Sequence, residues 1–142
     1  MHIDKDALTE TLSEARRQLL ASRAPGGYWT GYLSSSALST ATAVFALASA
    51  DPRAYESLVR GGLDWLADNA NTDGGWGDTV VSESNISTTA LCWSAFSVAE
   101  SASEKYRRAV AAAEGWLTRA AGGLEPKQIA ESIIAAYGKD RT

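Results

Sequence analysis

A tryptophan stands behind paired glycines twice in this chain, and the interval between the two limits what the chain can fold into. "APGGYWTGY" covers residues 24–32 and "NTDGGWGDT" covers 71–79, so Trp29 and Trp76 lie 47 positions apart. Ser39 and Ser87 are 48 apart, so one inserted residue aligns "YWTGYLSSSALSTATAVFAL" with "GWGDTVVSESNISTTALCWSAF". In that alignment Leu38 matches Ile86, Ser39 and Thr40 match Ser87 and Thr88, and Phe45 matches Trp93. "GLDWLADNA" and "AEGWLTRAA" place Trp65 and Trp116 alike, 51 residues apart. Self-similarity at a period of about 50 residues is the mark of stacked supersecondary units, each burying its apolar face on a neighbour.

The units are helical. Leu8, Leu12, Ala15 and Leu19 recur at one helical turn over 4–22, with Asp4 as N-cap. "ALSTATAVFALASA", 37–50, is apolar or small nearly all round and predicts a buried helix. "DP" at 51–52 ends that helix and opens another, with Asp51 as N-cap and Leu58, Val59, Leu63 and Leu66 on one face. "ISTTALCWSAFSVAE", 86–100, is again apolar or small. "SASE", 101–104, reads as a capping box for a helix with Tyr106, Ala109, Val110, Ala113, Trp116 and Leu117 on a stripe. "GGLEP" breaks it, and Pro126 starts a last helix bearing Ile129, Ile133 and Tyr137. "TVVSES" has strand propensity, but it is short and has no partner.

The fold class is therefore all-α: about three helical hairpins in one domain over 1–142, with repeats near 4–50, 52–100 and 101–138. The first, third and fifth helices are amphipathic with charged outer faces. The second, fourth and sixth are poorer in charge, which predicts an outer and an inner layer.

The glycines explain the tryptophans. A glycine can take positive φ and let the chain leave a helix in a tight turn. The tryptophan then folds back over the last carbonyls of that helix, and burying ~150–250 Å² lets one ring pin one loop. Asp73 holds the turn by bonding nearby backbone amides. The structural motif thus comprises Gly26, Gly27, Trp29, Trp65, Asp73, Gly74, Gly75, Trp76 and Trp116. Trp93, on an inner helix, is the candidate for lining a cavity.

Composition excludes several functions. The net charge of −4 gives no basic face for nucleic acid. The acidic start "MHIDKDALTE" is no signal peptide, and "ATAVFALASA" is too short to span a bilayer. One cysteine, Cys92, allows no internal disulfide and fits a reducing, cytoplasmic setting. With one histidine, His2, it cannot make a zinc site of three or four ligands, so no metal or cofactor is expected. The Ser and Thr runs have no histidine base beside them and read as small residues for close helix packing.

"GGLDWLADNANTDGGWGDT" and "LLASRAPGGYWTGYLSSSALSTATAVFALA" resemble the Gln-Trp repeats of class II terpenoid cyclases, the squalene–hopene and oxidosqualene cyclases. The resemblance covers essentially the whole chain. It implies half of an α/α toroid, the N-terminal part of a cyclase that continues beyond Thr142, and an isoprenoid substrate only in the full-length parent. For that parent it also implies a cytoplasmic or peripheral membrane location.

Two departures stand out. The repeat glutamine is Arg23 in the first repeat and Ala70 in the second, and the third repeat, "WLTRAAGGLEP", has no closing tryptophan. Such cyclases protonate an alkene or epoxide with the middle aspartate of an Asp-x-Asp-Asp motif, and this sequence has none. Asp73 and Asp78 are the nearest candidates and fall in a turn, so no catalytic residue is assigned. Protein prenyltransferase β-subunits share the toroid but need zinc ligands this chain lacks. A sugar-active toroid would need a carboxylate pair across a cleft. The expectation is a catalytically silent N-terminal part that self-associates or pairs with the remainder of a longer chain. The alternative is a freestanding α/α-repeat module that binds a partner protein or a second copy of itself.

Overall fold

A computed structural model of the chain describes residues 4–31, 34–98 and 103–138. Among these residues there are six α-helices, one short 3-10 turn and no strand, so the chain is all-α. The segment 79–84 is turn and irregular backbone. Two compact units are present, Met1–Leu33 and Ser34–Thr142.

The first unit holds α1 (Lys5–Ala21) and the first glycine-tryptophan turn. Asp4 caps α1 as the sequence predicts: its carboxylate accepts from the amides of Asp6 and Ala7. No residue of α1 is buried, although Leu8, Leu12, Ala15 and Leu19 form the predicted stripe.

The second unit holds α2 (Ala37–Ala50), α3 (Glu56–Asp68), α4 (Ile86–Ala95), α5 (Glu104–Ala121) and α6 (Pro126–Tyr137). α4 packs on α2, α5 and α6, while α3 packs on α2 and α5. The charge-poor helices α2, α4 and α6 therefore form one row and the amphipathic α3 and α5 the other, the two-layer arrangement that the alternation of composition predicts. Ser36, Asn85 and Ser103 cap α2, α4 and α5 by accepting from the amides of Ser39, Thr88 and Tyr106. Gly122, at φ 79°, ends α5, and Pro126 occupies the first turn of α6.

Several boundaries differ from the sequence expectation. Asp51 does not cap α3. It accepts from the amides of Arg53 and Ala54 in a turn after α2, so α3 starts only at Glu56, with Tyr55 before it and no side-chain cap. Ser103 takes the capping role given to Ser101, which lies outside the described residues, and Glu104 is then the first residue of α5. The 86–100 helix tightens into a 3-10 turn at Phe96–Val98, and residues 99–100 lie outside the described ones. Leu58 points away from the core at 59% exposure. α2 buries one face, Ala37, Ala41 and Val44, because within its unit it packs chiefly on α3 and α4.

The core has two clusters. The larger joins α2, α3, α4 and α5 through Val44, Leu63, Leu66, Cys92, Ala95 and Ala113, with Trp76 and Phe96 among them. The smaller joins α4, α5 and α6 through Ile86, Leu117 and Ile129. No helix among the described residues is long and apolar enough to cross a membrane.

Cys92 is fully buried where α4 meets α2, its sulfur 3.6 Å from the carbonyl of Ala37. Burial pushes its thiol up to about 12. Because the thiolate is the reactive form, native protein should resist thiol-specific reagents at pH 8 and react fully once denatured. Rapid labelling of native protein would contradict this packing.

Candidate functional site

The two glycine-tryptophan turns share the same backbone and indole hydrogen bonds. In the second, the Asn71 amide donates to the Gly75 carbonyl at 2.8 Å and the Gly74 amide to the Asn71 carbonyl at 2.9 Å. In the first, the Ala24 amide donates to Tyr28 at 2.8 Å and the Gly27 amide to Ala24 at 2.9 Å. The indole N–H of Trp76 donates to the Leu66 carbonyl at 3.0 Å, and that of Trp29 to the Leu19 carbonyl at 2.6 Å. Each donor and acceptor in the second turn lies 47 residues after its counterpart in the first. The tryptophans thus reach carbonyls in the last turns of α3 and α1, adding a second donor to the ones the C-cap residues supply, the Asn69 amide to Leu66 and the Ser22 hydroxyl to Leu19.

The glycines divide the work. Positive φ falls on Gly27 (84°) and Gly74 (91°), each two residues before its tryptophan. Gly75 does not have positive φ and is needed for room instead. A Cβ there would meet Ser84 Cβ at 2.8 Å and Thr89 Oγ1 at 2.9 Å. At the matching position the first turn carries Tyr28, which is exposed.

The two tryptophans differ in what covers them. Trp76 is 1% exposed, with Phe96 6.2 Å from it ring to ring. Its amide donates to the hydroxyl of buried Thr89 at 2.9 Å. Trp29 is 46% exposed and carries the Arg23 guanidinium over its ring at 5.5 Å. Arg23 stands where the repeat glutamine would be and also donates from Nε to the Gly27 carbonyl. In the second turn that position is Ala70, which packs against the main core.

Both aspartates beside Trp76 are held by hydrogen-bond donors, Asp73 by a backbone amide and side chains and Asp78 by side chains. Asp73 accepts from the Gly75 amide at 3.0 Å, the Ser84 hydroxyl at 2.7 Å and the Trp116 indole N–H at 2.9 Å. Partial desolvation acts to raise its pKa, and the donors of Gly75, Ser84 and Trp116 together outweigh that and hold it below the usual aspartate value. Asp78 accepts from the Thr88 hydroxyl and from Asn85 Nδ2. Those two donors lower its pKa against a smaller desolvation effect. Since Asn85 and Thr88 open α4, Asp78 anchors the start of that helix.

The remaining aromatic candidates pack. Trp65 lies partly buried against the main core and Trp116 against the smaller one. Trp93 is half-buried and touches both clusters. Among the described residues no group of three or more His, Cys, Asp and Glu could hold a metal ion. Sequence reasoning missed Thr89, Ser84, Asn85 and Thr88 as partners of the turn. Only the clustering of Ser, Thr and Asn from Thr79 into the first turns of α4 signals them.

Residues 12–138 match the family model of the squalene-hopene cyclase N-terminal domain. No curated protein and no solved structure matches the chain.

Two predictions follow from the turns. Trp76→Ala should lower stability by ~3–5 kcal/mol, whereas Trp29→Ala, already half in water, should lose under about 2 kcal/mol. Chemical denaturation of both variants measures this, and equal losses would contradict it. The lowered pKa values of Asp73 and Asp78 mean that the unfolded chain takes up protons first on acidification. Their stabilisation is complete above about pH 4 and is lost as pH falls through the folded-state values. Melting temperature should therefore drop below about pH 4, and less steeply in Asp78→Asn. An unchanged acid limb in that variant would remove Asp78 from the account.

Proposed function

We propose, from the premise that this chain belongs to the squalene-hopene cyclase N-terminal domain family, that it is a non-catalytic scaffold of a squalene-cyclase-like protein. The parent activity on this reading is cyclisation of squalene or a related isoprenoid. The chain supplies packed helical repeats and no proton donor.

The supporting observation is the state of Asp73 and Asp78. A cyclase of this kind starts from a carboxyl that keeps its proton at working pH. An ordinary aspartate is protonated only about one part in a thousand at pH 7. Asp73 and Asp78 are pushed further from that role, because the groups around them donate hydrogen bonds and favour the charged form. Both also serve the turn and the start of α4, so their chemistry is already in use. On this reading Trp93 is the residue to line a substrate cavity of the parent, since its half-buried ring lies between the two core clusters.

A second reading is a freestanding module that binds a partner protein or a second copy of itself. It draws on α6, where Ile134 is 67% exposed and Tyr137 is exposed beside it. Sedimentation velocity bears on both: a strictly monomeric, non-aggregating species over a wide concentration range would count against self-association and would favour a freestanding module over a fragment.

The scaffold reading makes a direct prediction. Purified chain incubated with squalene, oxidosqualene or geranylgeranyl diphosphate should give no cyclised product above a boiled control. Product that disappears in Asp73→Asn or Asp78→Asn would overturn it.

A further inference from the structure

The 71–76 turn reaches beyond its own loop, onto α5. Gly74 lies so near that helix that a Cβ on it would sit 2.7 Å from the Ala112 carbonyl oxygen. Further along α5, the Trp116 indole N–H donates to Asp73 Oδ2 at 2.9 Å. Further still, Arg119 Nη2 donates to the main-chain carbonyl of Asp73, also at 2.9 Å. Ala112, Trp116 and Arg119 follow the i, i+4, i+7 spacing of a single helix face. Asp73 Oδ1 is meanwhile occupied within the loop by the Gly75 amide and the Ser84 hydroxyl. Its two carboxylate oxygens therefore face different elements, one closing the turn and the other holding α5.

We propose that this strip is a latch. The turn is strapped along α5, so that opening of the turn, release of Trp76 from Leu66 and loosening of the C-terminal half of α5 are one event. Proteins open locally in cooperative units, and here the unit would join two segments far apart in sequence through one aspartate. Hydrogen bonds to a carboxylate are stronger than neutral ones, which suits Oδ2 to carry the coupling. Without the latch, the last turns of α5 would fray alone, and the turn would stay held by Ser84 and Thr89.

Asp73→Asn breaks the latch selectively. The amide keeps an oxygen for Gly75 and Ser84 and turns its NH2 toward the Trp116 donor. Trp116→Phe removes the same bond from the other side. The readout is hydrogen exchange on the full chain, followed by NMR at the Trp76 indole N–H and at the amides of residues 118–121. Each single variant should speed both sets by about tenfold or more, as loss of a hydrogen bond to a charged group implies. The double variant should then be no faster than the faster single. Arg119→Leu, at an exposed position, puts the fold at less risk and should also speed exchange at the Trp76 indole. Additive effects, or changes confined to the mutated side in any of these variants, would overturn the proposal.

Discussion

The hydrogen bond from the Trp76 indole to the Leu66 carbonyl is the constraint on which the rest of the second unit depends. A helix ends with carbonyls that lack partners, and burying such an end is unfavourable unless a donor arrives. Trp76 brings the donor and a large apolar ring together. It can do so only because Gly74 turns the chain through positive φ two residues earlier. The ring then meets Phe96, which in turn lies 5.5 Å from Tyr106, ring to ring. Tyr106 donates from its hydroxyl to Asp64 on α3. Parts of α3, α4 and α5 are thus arranged around one side chain.

Around that ring, polar residues do local work. Asp73 and Asp78 are exposed residues, yet their oxygens are taken up by the turn, by α4 and by α5. Lys105 pairs with Asp68 at 2.8 Å and with Asp64 at 3.5 Å on the surface between α3 and α5. Exposed pairs of this kind add little stability. Selection of neighbour and register suits them better, with apolar burial supplying the energy.

Much of this was legible in the sequence because helical repeats leave a periodic record. The 47-residue interval reappears bond for bond in the two turns, and Asp4, Pro126 and the stripe on α5 behave as their residue types dictate. What could not be read was set by tertiary neighbours. Asp51 beside Pro52 looks like a helix start, yet its carboxylate closes a turn before α3. Leu58 lies next to Val59, and a one-residue rotation about the helix axis decided which of them the core took. Gly74 and Gly75 are the same residue for different reasons, Gly74 for its positive φ as well as its closeness to α5 and Gly75 for room alone, and no single sequence distinguishes them. The roles of Thr89 and Ser84 depend on contacts across 13 and 11 residues, beyond any local pattern.

The central claim is that the glycine-tryptophan turn organises the fold, and a pair of glycine substitutions tests it most directly. Gly61 lies within α3 with nothing within 4 Å of a Cβ placed on it. Alanine there should raise stability by about 0.5–1 kcal/mol by favouring the helix. Gly74 has φ +91° and faces the Ala112 carbonyl. Alanine there should lower stability by more than about 1–2 kcal/mol, the penalty of a left-handed backbone alone. Urea denaturation of the two variants beside the parent gives both values. Opposite signs are the result this account predicts. A Gly74→Ala protein as stable as the parent would show that the turn follows the fold rather than setting it.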